Sequence, residues 1–238
     1  MNEKPDITLQ EIKEHFGKHC TLSAIHKILV KLGLRFKKTL KASEQDREDV
    51  KIAREEWKNK QKDFDTTHLV FIDETGAKTN MTRLYGRAML GQRCFDSAPD
   101  GRWERTTLLS ALRVTGQTQS LVFEGALDTK MYEAYMEKFL LPTLNPGDIV
   151  IADNLNVHKS ENVRRMVEGV GASYLPLPPY SPDLNPIEKM WSKIKQYLRG
   201  IKARTQESLE AAIGCALDTI TSEDAQGWFT SCGYGLGC

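Results

Sequence analysis

The sequence predicts an α/β domain with a mixed sheet, preceded by a small N-terminal helix-turn-helix. Three observations carry that expectation. Two short apolar runs end in an aspartate, His68-Leu-Val-Phe-Ile-Asp73 and Asp148-Ile-Val-Ile-Ala-Asp153, as strands buried in a layered domain do. Strand-like segments first follow one another and later alternate with amphipathic helices, which gives a sheet of mixed direction. The first forty residues instead read as two short helices about a glycine, the helix-turn-helix pattern.

Taken in order, Ile7, Leu9, Ile12 and Phe16 share one helix face, with Thr8 and Glu11 spaced as a capping box. After Gly17, Thr21 or Ser23 caps a second helix carrying Ile25, Ile28, Leu29 and Leu32, which Gly33 ends. Residues 43–64 are highly charged, with Val50, Ala53 and Trp57 at helical spacing, and read as an exposed helix linking two domains. Segments 83–89, 105–114 and 121–124 read as strands, 128–141 as an amphipathic helix limited by Pro142, 160–170 as a helix and 172–175 as a strand. A proline-rich loop, 176–185, leads into a helix over about 186–199, and 205–220 reads as the last helix. The tail Gly233–Cys238 reads as flexible. The domains expected are 1–42, a helix-turn-helix region; 43–65, a helical linker; and 66–238, the α/β domain.

Composition narrows the function classes. Of 238 residues, 40% are hydrophobic and 27% charged, as in globular proteins, and no apolar run approaches the roughly 18 residues of a membrane span. No secretory leader is legible in MNEKPDITLQEIKEHF, so the expected location is cytoplasmic. The five cysteines, Cys20, Cys94, Cys215, Cys232 and Cys238, include no CxxC pair, which argues against a disulfide framework or zinc ribbon. His15, His19, Cys20 and His26 match no standard zinc spacing. The formal net charge of +1 does not announce a nucleic-acid binder, but a basic patch and an acidic site cancel in such a sum.

The chemistry is read from acids. Ligand sites form at strand ends of open sheets, so Asp73 and Asp153 converge if their strands are neighbours. Converging carboxylates repel and must bind a proton or cations. With hard oxygen donors, the cation is Mg²⁺ or Mn²⁺. The bland alternative is that each aspartate caps a turn. Glu74 rivals Asp73, although alternation puts Phe71 and Asp73 on one side of the strand and Glu74 on the other. Glu188 is the third candidate, at the third helical position after Asn185 and Pro186. Its structural alternative is a capping box with Asn185. Asp183 in the preceding loop is its rival.

Three strings carry a resemblance: IDETG (72–76), IADNLNVHKS (151–160) and LPPYSPDLNPIEKMWSKIK (177–195). They resemble the catalytic blocks of the mariner-type superfamily of DDE transposases, nearest to the bacterial IS-six-thirty insertion-sequence branch. Between Asp153 and Glu188 lie 34 residues, the separation that superfamily shows. The likeness runs from about Thr66 to Tyr234 and includes Gly86-Arg87-Ala88, Trp103-Glu104 and Gly227-Trp-Phe. It implies an RNase H-like fold, a mixed five-stranded sheet flanked by helices. It also implies Asp73, Asp153 and Glu188 as the metal-binding triad, holding two Mg²⁺ (or Mn²⁺) ions per active site, and so prefers Asp73 to Glu74. Asn154 and His158 fall in the second block as residues that orient DNA or a metal-bound water.

The activity implied is cleavage at transposon ends followed by strand transfer into target DNA, with TA as the target dinucleotide. The partners implied are double-stranded DNA (terminal inverted repeats and target) and a second copy of the chain, with nucleoid association when DNA is bound. Ser23 to Leu32 would be a recognition helix with Lys27 and Lys31 facing DNA. Arg35, Lys37, Lys38 and Lys41 would contact phosphates. Related proteins carry two helix-turn-helix units; this chain has room for one before the linker. That leaves an alternative, a catalytically silent transposase-derived DNA-binding protein or truncated relic, and a third reading as an RNase H-type hydrolase of RNA–DNA hybrids.

Overall fold

The computed structural model describes residues 6–16, 20–34, 42–99 and 106–235. The basic residues Arg35, Lys37, Lys38 and Lys41, together with Gly17, Trp103 and Glu104, lie outside the described residues. The backbone divides into two units, 1–43 and 44–238.

In the first unit, helix α1 (Leu9–Phe16) opens on the capping box read from its sequence. The Thr8 amide donates to Glu11 Oε2 at 2.7 Å and the Glu11 amide to Thr8 Oγ1 at 3.2 Å. Helix α2 (Leu22–Lys31) is capped by Thr21, whose Oγ1 accepts from the Ala24 amide at 3.2 Å. It buries Ile25 and ends where Gly33 takes a left-handed φ of 77°, which glycine adopts without steric cost. Lys27 and Lys31, one helical turn apart, are exposed on α2.

The second unit is built on a five-stranded sheet in the order β3-β2-β1-β4-β5. Strand β1 (Leu69–Ala77) pairs antiparallel with β2 (Thr106–Arg113), which pairs antiparallel with β3 (Thr118–Glu124). On its other side β1 runs parallel to β4 (Ile149–Ala152), itself parallel to β5 (Ser173–Pro176). The central strands are apolar on both sides because both sheet faces are covered. Leu69, Phe71, Leu108, Leu112 and Ile151 face α6 (Pro186–Ile201), α7 (Gln206–Leu217) and α8 (Ser222–Ser231). Val70, Ile72, Leu109, Val150 and Ala152 face α4 (Thr129–Tyr135) and α5 (Glu161–Gly169). Helix α6 alone buries Ile187, Met190, Trp191, Ile194 and Leu198, each worth about 1.5–3 kcal/mol relative to exposure.

Several elements depart from expectation. Residues 83–89 form no strand, and Leu84, Tyr85 and Met89 are exposed. The strand before it in sequence, β1, is already paired on both edges. The segment is anchored at its base instead, where Arg204 Nη1 donates to the Thr79 and Met81 carbonyls and Lys202 meets Asp96 at 2.6 Å. The helix expected over 128–141 is α-helical only to Tyr135 and then widens into a π-turn, Met136–Leu140. Helix α8, opened by a Thr221–Asp224 capping box, follows the helix expected to be last. Helix α3 (Glu48–Lys60), read as an exposed link, buries Val50 and Trp57. Tyr234, read as part of a flexible tail, is wholly buried.

Asp148, at the mouth of β4, is the buried charge of the fold's far end. It meets Arg113 Nη2 at 2.6 Å, accepts from the Asn145 amide at 2.9 Å and faces His68 Nδ1 at 3.2 Å. Burial alone would raise its carboxyl; the Arg113 and Asn145 hydrogen bonds and the Arg113 charge more than offset that and hold it below the usual range. A depressed folded-state value means stability present above the unfolded value of about 3.9 and lost as pH falls through the folded one. Asp148→Ala is expected to cost about 3–5 kcal/mol at pH 7, because it strands a covered Arg113. Urea titrations of both proteins should show that gap closing as pH falls through the depressed folded-state value of the Asp148 carboxyl.

Candidate active site

The parallel register of β1 and β4 ends at Ile72 opposite Ala152, so the next residue on each, Asp73 and Asp153, stand side by side. Asp73 is 6% exposed. Its Oδ1 accepts from the Glu74 amide at 2.8 Å, and Asn185 Nδ2 lies 3.4 Å from Oδ2. Burial, then the charges of Glu188, Glu74 and Asp153, push the Asp73 carboxyl well above its ordinary value. Burial and crowded like charges both favour the neutral carboxyl.

Glu188 sits in the first turn of α6 and is exposed. The capping box that would explain it structurally does not form. Asn185 occupies the N-cap position but makes no side-chain cap bond; its amide is turned toward Asp73, and its Oδ1 is buried without a partner. Desolvation in the cleft, with the charges of Asp153 and Glu74, holds the Glu188 carboxyl above its usual value against the pull of Lys195. Asp153, Asn154 and Glu188 line one cleft of about 440 Å³, walled by Pro178, Pro179 and Tyr180. Asp73 lies behind Asn185, within electrostatic reach of both acids.

Asp183 is drawn out of this group. Its two oxygens take a forked pair of bonds from Arg54 at 3.0 and 2.7 Å. Although partial burial acts upward, that guanidinium holds its carboxyl below the usual range. The loop itself is strained at Tyr180, a non-glycine residue at φ 55°, which costs about 1–2 kcal/mol.

On the opposite face of β1, Glu74 enters an arrangement that alternation predicted only as pointing away from Asp73. His158, 1% exposed, bridges two acids. Its Nδ1 lies 2.5 Å from Asp153 Oδ1, and its Nε2 lies 3.2 Å from Glu74 Oε2, at an angle too bent for a hydrogen bond. The Tyr132 ring packs on the imidazole at 4.6 Å, and Tyr174 Oη donates to the His158 carbonyl at 2.9 Å. Burial pulls the imidazole down, but Asp153 and Glu74 together raise it to about 9, so it is charged at neutral pH. It thereby holds Asp153 by one oxygen; the Leu155 amide donates to that same oxygen at 3.0 Å.

Among the described residues, no three His, Cys, Asp or Glu side chains close on a single point. The donor set still fits a hard divalent ion. It is all carboxylate oxygen, its members repel one another, and Asn185 Oδ1 beside them lacks a partner. Lys27 and Lys31 belong to the other unit. Two contributors carried no sequence signal: Arg54, one of many charges on α3, and the pairing of Glu74 with His158 across 83 intervening positions of chain.

A sequence profile of the DDE superfamily endonucleases matches residues 68–210. The chain is 30% identical over 100 residues to the Transposable element Tcb1 transposase of Caenorhabditis briggsae, covering 40% of this chain and 37% of that protein. It is 32% identical over 78 residues to the Transposable element Tc1 transposase of Caenorhabditis elegans, covering 33% of this chain and 29% of the other. The aligned region thus spans less than two fifths of the length of these curated relatives. The structure superposes on the Mos1 strand transfer complex with a TM-score of 0.71 at 19% identity, over 98% of this chain and 72% of that one. Against the Mos1 mariner transposase catalytic domain the TM-score is 0.55 at 16% identity, over 83% and 93%. The five-stranded mixed sheet is that RNase H-like fold, and with the profile matched over more than half its length, the chain belongs to the DDE superfamily of endonucleases.

Proposed function

We propose that this chain is a DNA transposase of the mariner/Tc1 type, within it of the IS-six-thirty branch, that cuts DNA at transposon ends and joins them to target DNA. The observation that carries this reading is the placement of Asp73 and Asp153 at adjacent parallel strand ends, with an uncapped Glu188 across the cleft. Asp73, Asp153 and Glu188 would hold Mg²⁺ or Mn²⁺, two ions per site, which when bound supply charge stabilisation at phosphoryl oxygens and lower the pKa of water. His158 keeps Asp153 in one orientation from the side away from the cleft. Asn154 lines the cleft where a phosphodiester would lie. Two in-line displacements at phosphorus follow in this reading. Water first cleaves the transposon end, leaving a 3′-hydroxyl and a 5′-phosphate; that hydroxyl then attacks a phosphodiester of the target and expels the target strand's 3′-oxygen, which leaves as a hydroxyl.

Double-stranded DNA carrying terminal inverted repeats is the proposed substrate, with a homodimer bringing two ends together. Solved Mos1 structures include paired-end complexes, among them complexes with Mg and with Mn, which supports both the partner and the metals. Helix α2 would present Lys27 and Lys31 to DNA, with Arg35, Lys37, Lys38 and Lys41 on phosphates.

The test is cleavage of a duplex bearing the flanking element's terminal repeat, with Mg²⁺, Mn²⁺ or EDTA. Nicking in either metal that stops in EDTA is the expected result. Binding without cleavage in any metal would support a silent DNA-binding protein instead. Preference for an RNA–DNA hybrid would support an RNase H-type hydrolase.

A further inference from the structure

Helix α3 grips the loop that delivers Glu188. Arg54, its side chain 12% exposed, donates from Nη1 to Ser181 Oγ at 2.7 Å and to Asp183 Oδ1 at 3.0 Å, and from Nη2 to Asp183 Oδ2 at 2.7 Å. The Tyr180 carbonyl, at the residue with left-handed backbone, accepts from Gln45 Nε2 at 2.6 Å and from Arg54 Nη1 at 3.4 Å. At the loop's far end, Trp57 Nε1 donates to Tyr234 Oη, and that hydroxyl donates to the Leu184 carbonyl at 2.9 Å. Residues 180, 181, 183 and 184 are therefore all tied to α3 or the turn before it, immediately ahead of Asn185 and Glu188.

We infer that Arg54 is a positioning residue for the active site: its forked grip on Ser181 and Asp183 sets where the loop releases Asn185 and Glu188 into the cleft. An isolated surface ion pair contributes little to stability. This one differs in kind, because a planar guanidinium held at both Asp183 oxygens and at Ser181 fixes direction as well as distance. All the groups it holds, on Tyr180, Ser181 and Asp183, are in the loop. Its consequence therefore falls on the placement of Glu188 more than on the fold. The inference rests on the function proposed above.

The experiment uses the full chain with Arg54→Ala, Arg54→Lys, Asp183→Ala and the Arg54→Ala/Asp183→Ala double variant. Three quantities are read: the Mg²⁺-dependent cleavage rate, the thermal midpoint, and hydrogen exchange of the Leu184, Asn185 and Glu188 amides, which bond to Ser181, Pro182 and Asn185 carbonyls. Arg54→Ala should cut the rate about 10- to 100-fold, move the midpoint by less than about 4 °C and speed exchange at those amides. Arg54→Lys, a point charge without the fork, should recover part of the rate. The double variant should be no slower than Arg54→Ala, because both changes break one interaction. A wild-type cleavage rate in Arg54→Ala overturns the inference whatever the exchange shows. Should Arg54→Ala not fold, Arg54→Lys decides: a reduced rate at an unchanged midpoint supports the inference and a wild-type rate overturns it. If the unaltered chain cleaves nothing in any metal, the proposed function fails separately. The exchange readout then decides, with faster loop exchange in Arg54→Ala upholding the grip and unchanged exchange overturning it.

Discussion

Asp153→Asn, Asp73→Asn and Glu188→Gln are each expected to lower metal-dependent strand cleavage by about 10³-fold, equivalent to about 4 kcal/mol of barrier. Each change keeps the shape of the side chain and removes the charge that would hold a cation. For Asp73→Asn the fold should not suffer. Asp73 is buried among Glu188, Glu74 and Asp153, so an amide there relieves repulsion, and the thermal midpoint of Asp73→Asn should be unchanged or higher. DNA affinity, measured by fluorescence anisotropy without metal, should stay within about twofold of wild type, since phosphate contacts elsewhere carry it. Glu74→Gln is the internal control. Glu74 faces His158 and does not line the cleft, so its loss should be much milder, about tenfold in rate or 1.4 kcal/mol of barrier. Equal losses in Glu74→Gln and Asp73→Asn would mean the two neighbours had been assigned the wrong way round.

How much of this was legible in the sequence depends on whether the signal was local. The runs Leu69–Ile72 and Ile149–Ala152 declare buried strands by composition, and each ends at its aspartate. That they are neighbours is a fact of pairing, visible only in the register. Alternation placed Asp73 and Phe71 on one face, as the core shows, but it could not say what Glu74 would meet. His158 reaches it from a turn after β4. Segment 83–89 has strand-like residues, yet no free edge of β1 exists to receive it. Helix α8 was missed because Gly227 and few apolar residues blur its period, although Thr221 and Asp224 form a legible capping box. Asn185 shows the limit from the other direction. Its type and place suited a helix cap, and only its orientation toward Asp73 separates that role from one in the active site.

Tyr234→Ala is expected to destabilise the second unit by about 3–5 kcal/mol, the largest stability loss anticipated from one residue near the chain's end. The ring is wholly buried, with centroids 5.1 Å from Phe71 and 6.1 Å from Phe229. It thus joins the central strand to α8. Its hydroxyl accepts from Trp57 Nε1 at 3.0 Å and donates to the Leu184 carbonyl at 2.9 Å, joining α3 to the loop before α6. Burial raises the phenol above its ordinary value, so the neutral, donating form persists across the working pH range. Separating the two contributions needs Tyr234→Phe. That variant keeps the packing and leaves a buried indole donor and a carbonyl unpaired, at a cost of about 1–3 kcal/mol. Urea denaturation with an unchanged slope and a lower midpoint would report both losses as stability. If instead Tyr234→Ala unfolds at the wild-type midpoint, the ring is not part of the core in solution. In Trp57→Phe/Tyr234→Phe, the loss should be smaller than the sum of the single changes, because the indole no longer lacks a partner once both polar groups are gone. Additive losses would show that Trp57 and Tyr234 do not share a hydrogen bond.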